Sequence, residues 1–264
     1  IVSQKGNMIQ SVSKILERCI SSETNINPTI LYNEGWMIRL LVELSKQEKL
    51  KLPHVDFGCI SNWYSEGLLS SPFLARRKHD KLAEGYTHTD IALGDFHVDP
   101  SNKGDIVMDG EDGIFGVIEA KMGSKLSSGT ANAPEYDQAS RNLACIAFNT
   151  LYTKHDLYFA VAAPAEKILE HRFSDMVDVS RMVSKIAQRF DMYRDDHEVS
   201  SVKNQVLDRA RGCTCFTISY EAWISEIKGR KERTFLNEFK EQCYKFNRIK
   251  TASEPRTSSG NWES

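Results

Sequence analysis

The run LYFAVAA at residues 157–163, closed by Pro164, constrains this chain more than any other stretch. It is short, almost entirely apolar and ended by a proline, the mark of a strand buried within a sheet. A strand of that kind needs helices layered against its sheet. Helical periodicity is present on both sides of it. Residues 8–20 carry Met8, Ile9, Val12, Ile15, Leu16 and Cys19 at helical spacing, and Asn27-Pro28 caps a second helix reaching about residue 47. Further helices are predicted at residues 134–151, from Ser174 or Asp175 through Phe190, and at 234–249, with a short one at 61–69. Residues 89–98 alternate like a strand, and CTCFTISY at 213–220 reads as the last strand. The expectation is an α/β domain, one mixed sheet with an antiparallel meander flanked by helices. It spans residues 1–250: an N-terminal helix within 1–26, a core at about 27–220 and a basic helix at 230–250. Residues 251–264 read as a disordered tail.

The chemistry concentrates in KGDIVMDGEDGIFGVIEAKM, residues 103–122. Two apolar runs flank a Gly- and Asp-rich turn, so the segment reads as a hairpin. Centred on Asp112, that hairpin sets Asp105 opposite Glu119, with Lys121 on the same face two residues on. Opposed residues lie close enough for like charges to repel. Two facing carboxylates beside an ammonium are tolerated most readily if a divalent cation joins the carboxylates. On the second helix, Glu34 falls in the apolar stripe of Ile30, Met37, Ile38 and Leu41, and therefore points inward. On the helix after the hairpin, Gln138 and Arg141 share a face at a three-residue offset.

A formal net charge of −2 over 264 residues neither announces nor excludes a nucleic-acid partner, because carboxylates at a catalytic centre offset basic surface elsewhere. The basic surface is local. Arg76, Arg77, Lys78 and Lys81 cluster ahead of the sheet, and Lys231 and Arg233 open the last helix. Both clusters are candidates for phosphate contact. No run is long and apolar enough for a membrane span, and the six cysteines lack Cys-x-x-Cys spacing. The composition therefore reads as a reduced intracellular, cytoplasmic protein with no membrane partner. His79, His88 and His97 stand nine residues apart, which matches no common ligand spacing. No nucleophile-elbow pattern marks a serine or cysteine hydrolase.

Asp105, a thirteen-residue spacer and Glu119-Ala120-Lys121 form the pattern D-x(n)-E-x-K, followed by a helix and an apolar strand. This resembles the PD-(D/E)xK nuclease superfamily, the restriction-endonuclease-like fold, with Gly104 in place of the motif's proline. The resemblance implies a DNA nuclease of restriction or phage-defence type, acting as a homodimer or as the nuclease module of a larger assembly. It implies that Asp105, Glu119 and the Ala120 carbonyl ligate Mg²⁺ or Mn²⁺, that Glu34 adds a third carboxylate, and that Lys121 orients the attacking water. Gln138 and Arg141 match supporting positions, and Asp90, which also opens a strand, is the rival for the first aspartate. The alternatives are a catalytically silent nuclease-like fold that binds DNA or serves an assembly, and a phosphoesterase with another carboxylate cluster.

Overall fold

Two asparagine caps set the first helical segment. Asn27 caps a single 3-10 turn, Pro28–Ile30, while Asn33, extended at φ −147°, accepts the Trp36 N–H at 3.0 Å and starts helix α1 (Glu34–Gln47). The continuous helix expected from residue 27 is therefore broken, and Glu34 opens α1 instead of lying within it. The structure, a computed structural model, describes residues 26–249 apart from 76–77, 79, 100, 102–103 and 130–132, together with residues 14, 17 and 18. Lys14, Glu17 and Arg18 are helical. The rest of the helix expected at 8–20, and the tail from residue 251, lie outside the described residues.

Strands β1 (Lys51–Leu52) and β2 (Val55–Asp56) make a small hairpin. Then come β3 (Asn62–Leu69), β4 (Thr87–Gly94), β5 (Phe96–Asp99), β6 (Asp105–Met108) and β7 (Ile114–Ala120). The short helix expected at 61–69 is corrected: Asn62–Leu69 is a strand, and its burial alternates residue by residue. Helix α2 (Gln138–Asn149) leads to β8 (Asp156–Ala163), the apolar run of the sequence. Helices α3 (Ala165–Glu170), α4 (Phe173–Met176), α5 (Val179–Asp191), α6 (His197–Ser201) and α7 (Lys203–Arg211) precede β9 (Thr214–Ser219). Helices α8 (Tyr220–Glu226) and α9 (Arg230–Phe246) complete the described chain. The polar connection expected at 194–201 ends in α6. Helix α7, which the sequence did not announce, buries only Val206, Leu207 and Ala210.

Seven strands form one mixed sheet in the order β5-β6-β3-β4-β7-β8-β9. Strands β3–β4, β4–β7 and β5–β6 pair antiparallel, and β3–β6, β7–β8 and β8–β9 pair parallel. The expected meander is corrected at one point. Strands β6 and β7 are not partners, since β6 lies on the far side of β3. The cause is the bend after β4. Gly94 has φ +128°, and a Cβ there would stand 1.9 Å from the Ile114 carbonyl oxygen, so only glycine fits. Asp95 then holds Ile114 through backbone and carboxylate, and the chain leaves the β4–β7 pair to form the outlying β5–β6 hairpin.

Strand β8 shows why the fold needs two helical layers. Phe159, Val161 and Ala163 face a core completed by α2, α5 and α7, whereas Tyr158, Ala160 and Ala162 face one completed by α1, α8 and α9. Cys145, Cys213 and Cys243 are buried free thiols and Cys59 is exposed. Among the described residues no helix is long and apolar enough to cross a membrane.

Candidate active site

The β4–β7 register builds the site. Ile91 opposes Ile118, and one further step sets Asp90 opposite Glu119. The Asp90 carboxylate accepts the Ala120 N–H at 2.7 Å, which fixes it beside the end of β7. Asp105 is elsewhere: it opposes Asp99 on β5 and lies level with Leu68 on β3. Strands β3 and β4 separate it from Glu119, and three strand spacings put it roughly 14 Å away. The hairpin pairing of Asp105 with Glu119 is therefore corrected, and Asp90 takes the place facing Glu119.

Glu119 is the most constrained acid of the group, 2% exposed at the end of a strand whose last six residues are buried. Its Oε1 accepts the Lys121 ammonium at 2.6 Å and the Gln138 amide at 2.5 Å, and its Oε2 accepts the Asn142 amide at 3.2 Å. Gln138 and Asn142 stand one turn apart on α2, the spacing that aims both side chains at one point. Gln138 also accepts the Ser127 N–H at 3.1 Å, tying the loop after β7 to the site. Burial, and then the neighbouring Asp90 carboxylate, push the Glu119 carboxyl up to about 7. Burial also raises Asp90, and Glu66 adds to the effect.

Glu66 went unseen in the sequence. The pairs Ser65–Ile91 and Gly67–Thr89 bracket it opposite Asp90, and it adopts φ +60°, a left-handed backbone uncommon for a residue with a side chain. Glu66, Asp90 and Glu119 thus follow one another across three adjacent interior strands of the sheet. Arg39 on α1 balances the outer one, donating to Ser65 at 2.7 Å and to Glu66 at 3.1 Å.

The remaining expected residues divide. Glu34, half-buried, lines a cleft of about 420 Å³ with Met122, Gly123, Ser124, Lys167 and Arg248 among its walls. The cleft therefore lies just past the end of β7, where Met122 follows Lys121. Arg141 turns away from the site to Glu84, 3.6 Å distant. Lys78 and Lys81 are exposed, and Arg76 and Arg77 lie outside the described residues. Lys231 and Arg233 belong to the end of α9 that adjoins Glu48, whereas the end at Asn247 and Arg248 adjoins Tyr32 and Glu34. The 17 residues of α9 put the two ends about 25 Å apart, so Arg248, and not Lys231 or Arg233, joins Lys167 in the wall of the Glu34 cleft.

Among the described residues no group of three or more His, Cys, Asp or Glu side chains is arranged to hold a metal ion. The pair Asp90–Glu119 nevertheless suits a divalent cation. Two adjacent carboxylates, both raised by burial, are an oxygen donor set whose mutual repulsion a hard cation relieves. No family model matches the chain, and no curated protein or solved structure is similar enough to match it.

Proposed function

We propose that the chain is a divalent-cation-dependent nuclease of the PD-(D/E)xK type, acting on DNA, with Asp90 as the motif's aspartate. The observation that carries this reading is the β4–β7 register, which faces Asp90 with Glu119 and places Lys121 two residues on. The element order supports it as well: α1, β3, β4, β7, α2 and β8 run in the sequence of a restriction-endonuclease-like core. In this reading the β5–β6 hairpin is an insertion carrying Asp105 away.

Asp90, Glu119 and the Ala120 carbonyl would hold Mg²⁺ or Mn²⁺, with Glu34 as the further carboxylate. The cation supplies Lewis-acid stabilisation of charge on the phosphoryl group. Gln138 and Asn142 fix the rotamer of Glu119. The Lys121 ammonium orients the attacking water and meets the negative charge that develops on the phosphate. Water adds its oxygen to phosphorus, the phosphorus–oxygen ester bond breaks, and the leaving oxygen takes a proton, giving a phosphate monoester and a hydroxyl. One set of site residues per chain cuts one strand, so double-strand cleavage calls for a second copy or a larger assembly.

A second reading, a catalytically silent nucleic-acid-binding or assembly subunit, draws on the three donors already occupying Glu119. Supercoiled plasmid with Mg²⁺ or Mn²⁺ separates the two. The wild-type chain is expected to nick or linearise it, Lys121→Ala and Asp90→Asn to lose that activity, and Asp105→Asn to keep it. Loss with Asp105→Asn but not with Asp90→Asn would overturn the assignment, and an inert wild type would favour the silent subunit.

A further inference from the structure

Tyr220 is wholly buried, and its hydroxyl proton has no hydrogen-bond acceptor among the described residues. It stands where β9 ends and α8 begins, capped into place by Ser219, which accepts the Ala222 N–H at 3.0 Å. Strand β9 runs parallel to β8 and β8 to β7, so Tyr220 lies at the same sheet end as Lys121. The Lys121 N–H, donated to the Ala162 carbonyl at 2.8 Å, also acts on the phenol oxygen, so it is the hydroxyl's own proton that finds no acceptor. Around the hydroxyl the carboxylates of Glu34 and Asp90 are near enough to act on it electrostatically, and the Cys243 thiol is a further neighbour.

An unpaired hydroxyl in a dry core is unfavourable, and phenylalanine would fill the same space without the loss. Buried waters characteristically serve such orphaned groups, given two or more polar partners. The two carboxylates are the acceptors here, and Glu34 also lines an open cleft through which water can reach it. We propose that the Tyr220 hydroxyl donates to a water held between the Glu34 and Asp90 carboxylates, making Tyr220 a positioning residue that ties Glu34 into the cation site. The water takes the phenolic hydrogen bond and gives its own two to the carboxylates. It thereby fixes Glu34, which opens a helix and otherwise faces an open cleft. The proposal rests on the nuclease reading, because Asp90 and Glu34 act there as cation ligands.

Tyr220→Phe removes one oxygen and tests it with three readouts. Without metal, the loss of that one hydrogen bond to water is expected to lower the melting temperature by no more than about 3 °C. Its Mn²⁺ affinity by calorimetry falls about tenfold, and kcat for plasmid cleavage falls about tenfold with KM for DNA unchanged, roughly the loss of one hydrogen bond to charged groups. Glu34→Gln gives a comparable loss, and the double variant is no worse than either single one, because both act through one water. An unchanged Mn²⁺ affinity and kcat in Tyr220→Phe would overturn the proposal, as would a fall of more than about 3 °C in the metal-free melting temperature. Either result leaves the nuclease reading intact, whereas a wild type that neither binds Mn²⁺ nor cleaves removes both.

Discussion

Glu119→Gln is expected to abolish cleavage and, at alkaline pH without metal, to make the protein more stable. The two effects have one origin. In the folded chain the Glu119 carboxyl is pushed up to about 7 by burial and by Asp90, whereas an unfolded chain titrates it near 4.3. Between those values the folded state binds the proton more tightly, so stability falls as pH rises from about 4 to 7 and stays reduced above that. At pH 8 the ionised side chain costs the fold on the order of 3 kcal/mol. Glutamine removes that cost and keeps an oxygen for Lys121 and Gln138. Its new N–H₂ group faces Asn142, whose Oδ1 is buried without a partner. Thermal melts in chelator should show the variant several degrees above wild type at pH 8 and level with it only at about pH 4. Cleavage with Mg²⁺ should fall about a thousandfold or more, the scale of losing a member of a cooperating catalytic set. A variant destabilised at pH 8, or one still cleaving at more than a few per cent, would remove Glu119 from the centre of the site.

The sequence made the layers of this fold legible and hid their lateral order. The run at 157–163 is buried strand because its composition permits little else. Strand β3 was hidden, since Ser65, Glu66 and Gly67 interrupt its apolar residues and its alternation shows only as burial in the folded chain. The turn at 109–113 gave a local reason to pair Asp105 with Glu119, and it was wrong for a long-range reason. Gly94 bends the chain away, and β3, from earlier in the chain, lies between β6 and β4. Glu119, Lys121 and Gln138 were legible because strand period and helix start place them with no knowledge of neighbours, and the structure brings them together. Asp90 could be named but not ranked, because its partner depends on a register between distant segments. Asn142 and Tyr220 gave no signal beyond ordinary core positions, and what sets them apart is an unmet polar atom visible only after folding.

Asp137→Ala should cost the most stability of any single change near the site, because three functions meet in that side chain. Asp137 is 5% exposed; its Oδ1 accepts the Ser140 N–H at 2.9 Å and the Ser140 hydroxyl at 2.8 Å, and its Oδ2 accepts the Lys185 ammonium of α5. Removing the carboxylate strands a largely buried ammonium, worth about 3–5 kcal/mol, and uncaps α2, worth about 1 kcal/mol more. A chain of this size should then melt roughly 10 °C lower. Lys185→Met in the same background removes the stranded charge, and apolar replacement of a whole buried pair is often nearly neutral. The double variant should therefore recover most of the loss but not the cap. Activity should not recover with it, since the uncapped first turn of α2 carries Gln138, the residue that holds both Glu119 and Ser127. Melting temperature and kcat measured on the single and double variants separate the pair's contribution to stability from its contribution to geometry. A double variant restored in both would reduce the Asp137–Lys185 pair to core packing. One restored in stability alone would make it the anchor through which α5 sets the position of Glu119.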